Sequence, residues 1–128
     1  MGSIDLNSQG VNTNVALIVA SASTATITSA TQTNLAGAGV VVVLKTTAIG
    51  TGSVTLTING ITASGVSYLL LSGAAVVTNT TNVYTVYPGL TAVANVTATN
   101  ILPSTWNVVV TANNANAATY TVDTSVVE

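Results

Sequence analysis

Apolar and polar positions alternate with a period of two along much of this chain, and no stretch carries the 3.6-residue period of an amphipathic helix. Residues 1–14 are mostly polar and read as an arm or irregular lead-in. From there Val15, Leu17 and Val19 point one way with smaller residues between them, and 21–33 continues as a weak strand or extended edge. Gly37 and Gly39 punctuate the chain before Val40–Thr47, an apolar run short enough to be a strand buried on both faces. Gly50–Gly52 predicts a turn. Val54, Leu56 and Ile58 then alternate with Thr55 and Thr57 and run into Asn59-Gly60, the pair favoured in a type I′ turn, so a hairpin to Ile61–Ala63 is expected. Val66–Leu71 predicts a further strand, and Ser72–Asn82 a loop with the apolar insert Ala74–Val77. Asn82–Tyr87 alternates again and ends at Pro88-Gly89, which fits the centre of a type II turn. Thr91–Asn100 reads equally as a strand or an irregular crossover. Trp106–Ala112 and Ala118–Val126 predict two strands joined through Asn113–Asn116 as a hairpin loop.

Seven to nine short strands at this spacing predict an all-β fold, a two-sheet antiparallel β-sandwich of immunoglobulin-like or jelly-roll-like topology. Residues 15–128 then form one β-sandwich domain behind the 1–14 arm. Composition agrees. Thr and Val make up about a third of the 128 residues, and both are β-branched and suited to a pleated surface. With no Phe and one Trp, the core must be built from Val, Ile, Leu and Ala between closely packed sheets.

Charge changes the functional picture more than the fold. Only Asp5, Lys45, Asp123 and Glu128 carry full charge, far below the quarter of residues usual in soluble domains. Phosphate binding needs several cations, so no nucleic-acid partner is expected. The apolar runs fall well short of the ~20 residues of a spanning helix, and aromatic girdles are missing, so no membrane partner is expected either. Residues 1–10 show neither the basic nor the apolar region of a secretion signal. A chain with this little repulsion risks self-association when free, and is better suited to life docked in an assembly.

Candidate chemistry is sparse. Without His or Cys the usual general base, thiolate and transition-metal ligands are absent from the sequence. The expectation is a non-enzymatic protein with no catalytic, cofactor-binding or metal-binding residues. Asp5 and Asp123 are the one carboxylate pair able to meet across the termini, and Asp123 with Asn113–Asn116 the one conceivable calcium set, against which stands the need for several carboxylates. Lys45, at the end of an apolar run, invites an intramolecular Lys–Asn amide, but no partner acid is evident and an amine snorkelling to solvent is expected. Trp106 is expected in the core. The sequons at Asn79-Thr80-Thr81 and Asn95-Val96-Thr97 carry little weight without a secretion signal.

From about Val40 onward the layout resembles a group of small virion proteins of tailed bacteriophages. The matching features are Val40–Ala48, the Thr-alternating strand ending in Asn59-Gly60, Gly65–Leu71, Tyr87-Pro88-Gly89-Leu90, Leu102-Pro103-Ser104-Thr105-Trp106-Asn107 with Val108–Val110, and Thr119-Tyr120-Thr121-Val122. The likeness covers roughly two thirds of the chain and is one of strands and turns. Members of that group are usually more charged and often place a basic residue after the Trp, where this chain has Asn107. The resemblance implies a capsid decoration or cement protein, made in the host cytoplasm and sited on the outer capsid surface of the virion. Its implied partners are the major capsid protein and further copies of itself, trimers at symmetry axes included. A polar arm such as 1–14 is suited to adding a strand to a neighbour's sheet edge. Other readings are a phage tail tube or minor tail component, a secreted adhesin, and a carbohydrate-binding module, the last disfavoured by only four Tyr and one Trp.

Overall fold

The structure is a computed structural model that describes residues 13–35 and 37–128. These residues form ten strands and no helix: β1 (Thr13–Ser23), β2 (Ile27–Thr28), β3 (Gln32–Thr33), β4 (Gly39–Ala48), β5 (Val54–Ile61), β6 (Ser67–Ser72), β7 (Thr81–Val86), β8 (Thr97–Ala98), β9 (Thr105–Ala112) and β10 (Ala118–Val127). One sheet has the order β1-β10-β4-β7-β8 and the other β2-β9-β5-β6, with β3 also paired to β9. All pairs are antiparallel except β7–β8. The all-β sandwich expected from the sequence is thus present, with three two-residue strands added to seven longer ones.

Alternation explains how the two sheets meet. In β5 the positions Val54, Leu56 and Ile58 are buried while the intervening Thr55, Thr57 and Asn59 are half-exposed. In β9 Trp106, Val108 and Val110 face inward, opposite Tyr120 and Val122 of β10 and Val40, Val42 and Leu44 of β4. Tyr84 and Val86 of β7 and Ile18 and Ala20 of β1 complete the first sheet's inner face. Ile49, Val76, Leu102 and Ala118, from connections or strand ends, join the same cluster.

Several local expectations are corrected. Val15 and Val19 do not share a face: Val15 is in register with buried Thr124, Val19 with Thr121 beside the exposed Lys45, and Ile18 and Ala20 are the buried residues of β1, because a bulge between Ala16 and Ile18 resets the alternation. The strand also begins at Thr13; residues 1–12 of the expected arm lie outside the described residues. β4 is buried on one face only: Val40, Val42, Leu44 and Thr46 are inside, Val41 and Val43 half-buried, and Lys45 exposed.

Asn59-Gly60 is not a turn. Both residues lie inside β5, where Asn59 donates to Asn107 Oδ1 at 3.4 Å across the outer face. Gly60 is needed for close approach instead, since a Cβ there would run into the Tyr68 ring. The turn falls at Thr62–Gly65. Gly65 takes φ +88° and donates to the Thr62 carbonyl at 2.9 Å, and the Val66 N–H donates to Thr62 Oγ1 at 3.0 Å.

Asn113–Asn116 does not close a hairpin either. β9 and β10 belong to opposite sheets, so this segment is an arch between layers. Pro88-Gly89 does turn the chain, with Gly89 at φ +83°. Thr91–Asn100 resolves as an irregular crossover carrying β8, closed by the Val93–Thr97 bridge with Asn95 at φ +64°.

Neutral side chains hold the irregular backbone. Buried Asn34 donates from Nδ2 to the Gly37 and Leu102 carbonyls at 2.8 and 3.0 Å, and accepts from the Gly37 N–H at 2.8 Å. Thr46 Oγ1 donates toward the Thr78 and Thr80 carbonyls and accepts from the Thr80 N–H at 2.9 Å. Ser29 Oγ accepts from the Val108 N–H at 3.0 Å. By contrast, buried Tyr120 Oη and Trp106 Nε1 have no hydrogen-bond partner among the described residues.

Two substitutions with opposite expectations follow. Asn34→Ala strips one buried and two part-buried bonds and is expected to cost about 2–4 kcal/mol of unfolding free energy. Tyr120→Phe removes an unpaired buried hydroxyl with no loss of ring packing, and is expected to be neutral or stabilising by about 1 kcal/mol. Urea titration of both variants checks this; a Tyr120→Phe loss as large as that of Asn34→Ala would contradict it.

Candidate interaction surface

The charged side chains among the described residues do not converge. Lys45 is exposed on the outer face of the first sheet, in register with Thr121 of β10 and Thr81 of β7. Its ammonium therefore points to solvent instead of into the core where an amide cross-link would have to form. Asp123 is also exposed on that face, mid-strand, between Val43 and Ala16. It stands five residues into β10, about 17 Å from the Asn113–Asn116 arch, so the conceived calcium set is not brought together. Glu128 is exposed at the chain's end, where its main-chain carbonyl accepts from Tyr87 Oη. Asp5 lies outside the described residues. Among the described residues no three His, Cys, Asp or Glu side chains cluster.

The Asn arch has a structural use for its amides. Asn113 Nδ2 donates to Ser53 Oγ and Thr55 Oγ1 at 3.0 and 2.9 Å, and Asn114 and Asn116 both donate to the Thr51 carbonyl, at 3.1 and 3.3 Å. These bonds fasten the β9–β10 arch to the β4–β5 connection. Trp106 lies in the core as expected, 1% exposed.

The feature that sequence reading missed is an apolar band on one flank of the sandwich, where β6 of one sheet comes near β7 and β8 of the other. Val77, Val83 and Val96 line a shallow depression of about 420 Å³, floored by Tyr84. A second of about 420 Å³ adjoins it across Ala94 and Asn95, lined by Leu69 and Val93 among others. All five of these Val and Leu side chains are among the exposed large hydrophobics, between 44% and 58%. Scattered single apolar residues are ordinary on a surface, but five around two joined depressions make a contiguous patch. A signal was available. Val77, Val93 and Val96 stand in segments that also read as irregular, where an apolar side chain has no strand alternation to bury it.

The two depressions are open and neutral, with no lysine, arginine or carboxylate among their lining residues. What such a surface can do is bury apolar area against another surface. Its one titratable group is the buried Tyr84 phenol, and it has no cationic side chain with which to hold an anion.

No histidine titrates near neutrality, and the resolved shifts lie at the alkaline end. Burial pushes the phenols of Tyr84 and Tyr120 above their usual 10.0, because the charged form is poorly solvated there. A folded pKa above the unfolded one means that this contribution to stability is fully present below pH 10 and is lost as pH rises through the folded values. The melting temperature is expected to vary little from about pH 6 to 9 and to fall above pH 10. A Tyr84→Phe/Tyr120→Phe double variant should flatten that alkaline fall, and an undiminished fall would contradict the assignment.

Comparison of the chain with protein-family models, with curated proteins and with solved structures finds no match.

Proposed function

We propose that this chain is a non-enzymatic structural protein of a tailed-bacteriophage virion, a decoration or cement protein that binds the outside of the assembled head. The observation that carries the reading is the uncharged apolar band of Leu69, Val77, Val83, Val93 and Val96 around two adjoining depressions of a Thr- and Asn-rich sandwich. It suits burial against a neighbouring protein, and the resemblance from Val40 onward supplies the class of neighbour, the major capsid protein.

The physical argument is one of copy number. A small apolar contact made once is weak, since much of its gain is spent on lost rotational and translational freedom. A capsid lattice offers the same contact at every symmetry-related position, and contacts between neighbouring decoration subunits convert later binding events into partly intramolecular ones. A decoration subunit therefore needs no deep pocket and no strong field. The near absence of charge also makes such attachment insensitive to ionic strength.

The test is attachment to undecorated heads of the source phage. Val83→Asp and Val96→Asp, at positions 49% and 44% exposed, leave the core intact. Each places a carboxylate where apolar contact is needed and is expected to weaken head binding about tenfold or more, with an unchanged melting temperature. Wild-type occupancy by both variants would contradict the proposed docking face.

A further inference from the structure

A two-sheet sandwich has four edges, and here they are not alike. The β2/β3 edge consists of two-residue pieces, and β8 is a two-residue strand folded back on itself through the Val93–Thr97 bridge. On β6, the Leu70 carbonyl accepts from Asn100 Nδ2 at 3.4 Å, so the 92–100 segment covers part of that edge. β1 is different. It is eleven residues long, pairs among the described residues with β10 alone, and carries no charged residue and no proline, the usual devices that discourage edge pairing. Bulges after Ala16 and Ala20 bend it and leave Thr13–Ala16 and Ile18–Ala20 as regular stretches for a partner strand to register on.

We infer that the free edge of β1 is a self-association site, at which β1 of a second copy pairs antiparallel about a two-fold axis and joins the two five-stranded sheets into one. The occupant must be a strand, because the groups on offer are a row of main-chain donors and acceptors. A second copy fits on charge. The strand itself is neutral, and the nearest charged group on the same sheet is Asp123, one strand away on β10. In the paired state the two Asp123 carboxylates stand three strand spacings apart, about 14 Å, beyond the screening length at physiological salt. Val15 and Val19, 43% and 75% exposed, gain neighbouring side chains across the new pair. The inference concerns the isolated chain and stands independently of the capsid reading.

The full-length protein is to be measured by sedimentation velocity, with a dimer expected at micromolar concentration. Val19→Lys, at an exposed position, should fold normally and be monomeric at the concentration where the parent is dimeric; Leu69→Lys on β6 should stay dimeric. Because the chain has no cysteine, introduced thiols report the pairing directly. Under mild oxidation Val15→Cys, Leu17→Cys or Val19→Cys should give a covalent dimer, according to whether the axis passes near residue 15, 17 or 19. A monomeric parent, a dimer abolished by Leu69→Lys but not by Val19→Lys, an open ladder of larger species, or a dimer that none of the three cysteine variants cross-links would each overturn the inference.

Discussion

Everything in this molecule depends on the face-to-face packing of β4 and β10 against β5 and β9. Those four strands supply ten of the eleven largest fully buried side chains, Val40, Val42, Leu44, Leu56, Ile58, Trp106, Val108, Val110, Tyr120 and Val122, and Val86 of β7 is the last. Most are Val, Leu or Ile, which bring little side-chain entropy cost and no polar group to satisfy. The core is therefore a thin aliphatic layer with Trp106 and Tyr120 as its two large inserts. A Leu56→Ala or Ile58→Ala change would leave a void that no flexible neighbour of this kind readily fills.

A layer built this way leaves the connections to be held by something else. Most proteins use charged side chains for part of that work, and this one has almost none. Amides and hydroxyls replace them: Asn34 ties the β3–β4 connection to Leu102, Thr46 ties β4 to the 78–80 segment, and Asn113 ties the arch to Ser53 and Thr55. Ile49 is held in the same way, its N–H donating to Asn79 Oδ1 at 3.0 Å. Neutral hydrogen bonds of this kind do not titrate near neutrality and are little affected by salt, which gives a scaffold whose stability is decoupled from both.

The fold class was legible because burial on one face forces period two, and Val54–Ile58, Asn82–Tyr87 and Trp106–Ala112 display it without interruption. Which strands pair was not legible. Asn59-Gly60 has the composition of a hairpin turn, yet tertiary packing against Tyr68 places that glycine inside a strand and moves the turn to Gly65. Asn113–Asn116 likewise has a hairpin's length and residues. Nothing local reveals that Val108 and Val122 face each other across the core instead of lying side by side in one sheet. The bulge that sets Val15 and Val19 on opposite faces is invisible for the same reason, since one inserted residue leaves composition unchanged while swapping faces. The candidate surface was only partly legible. The apolar residues at 77, 93 and 96 could be seen, but their convergence with Leu69 and Val83 depends on how β6 of one sheet meets β7 and β8 of the other.

Taken together, a neutral scaffold, an apolar flank and the scarcity of groups able to do acid–base work describe a protein suited to act by being bound in many copies. The most direct measurement is its copy number in purified virions of the source, by quantitative mass spectrometry against the major capsid protein. The proposed role predicts a stoichiometry close to that of the capsid protein. A small fraction of it would contradict decoration of the head and move the chain to the tail or a vertex, and its absence from the particle would contradict the virion assignment itself.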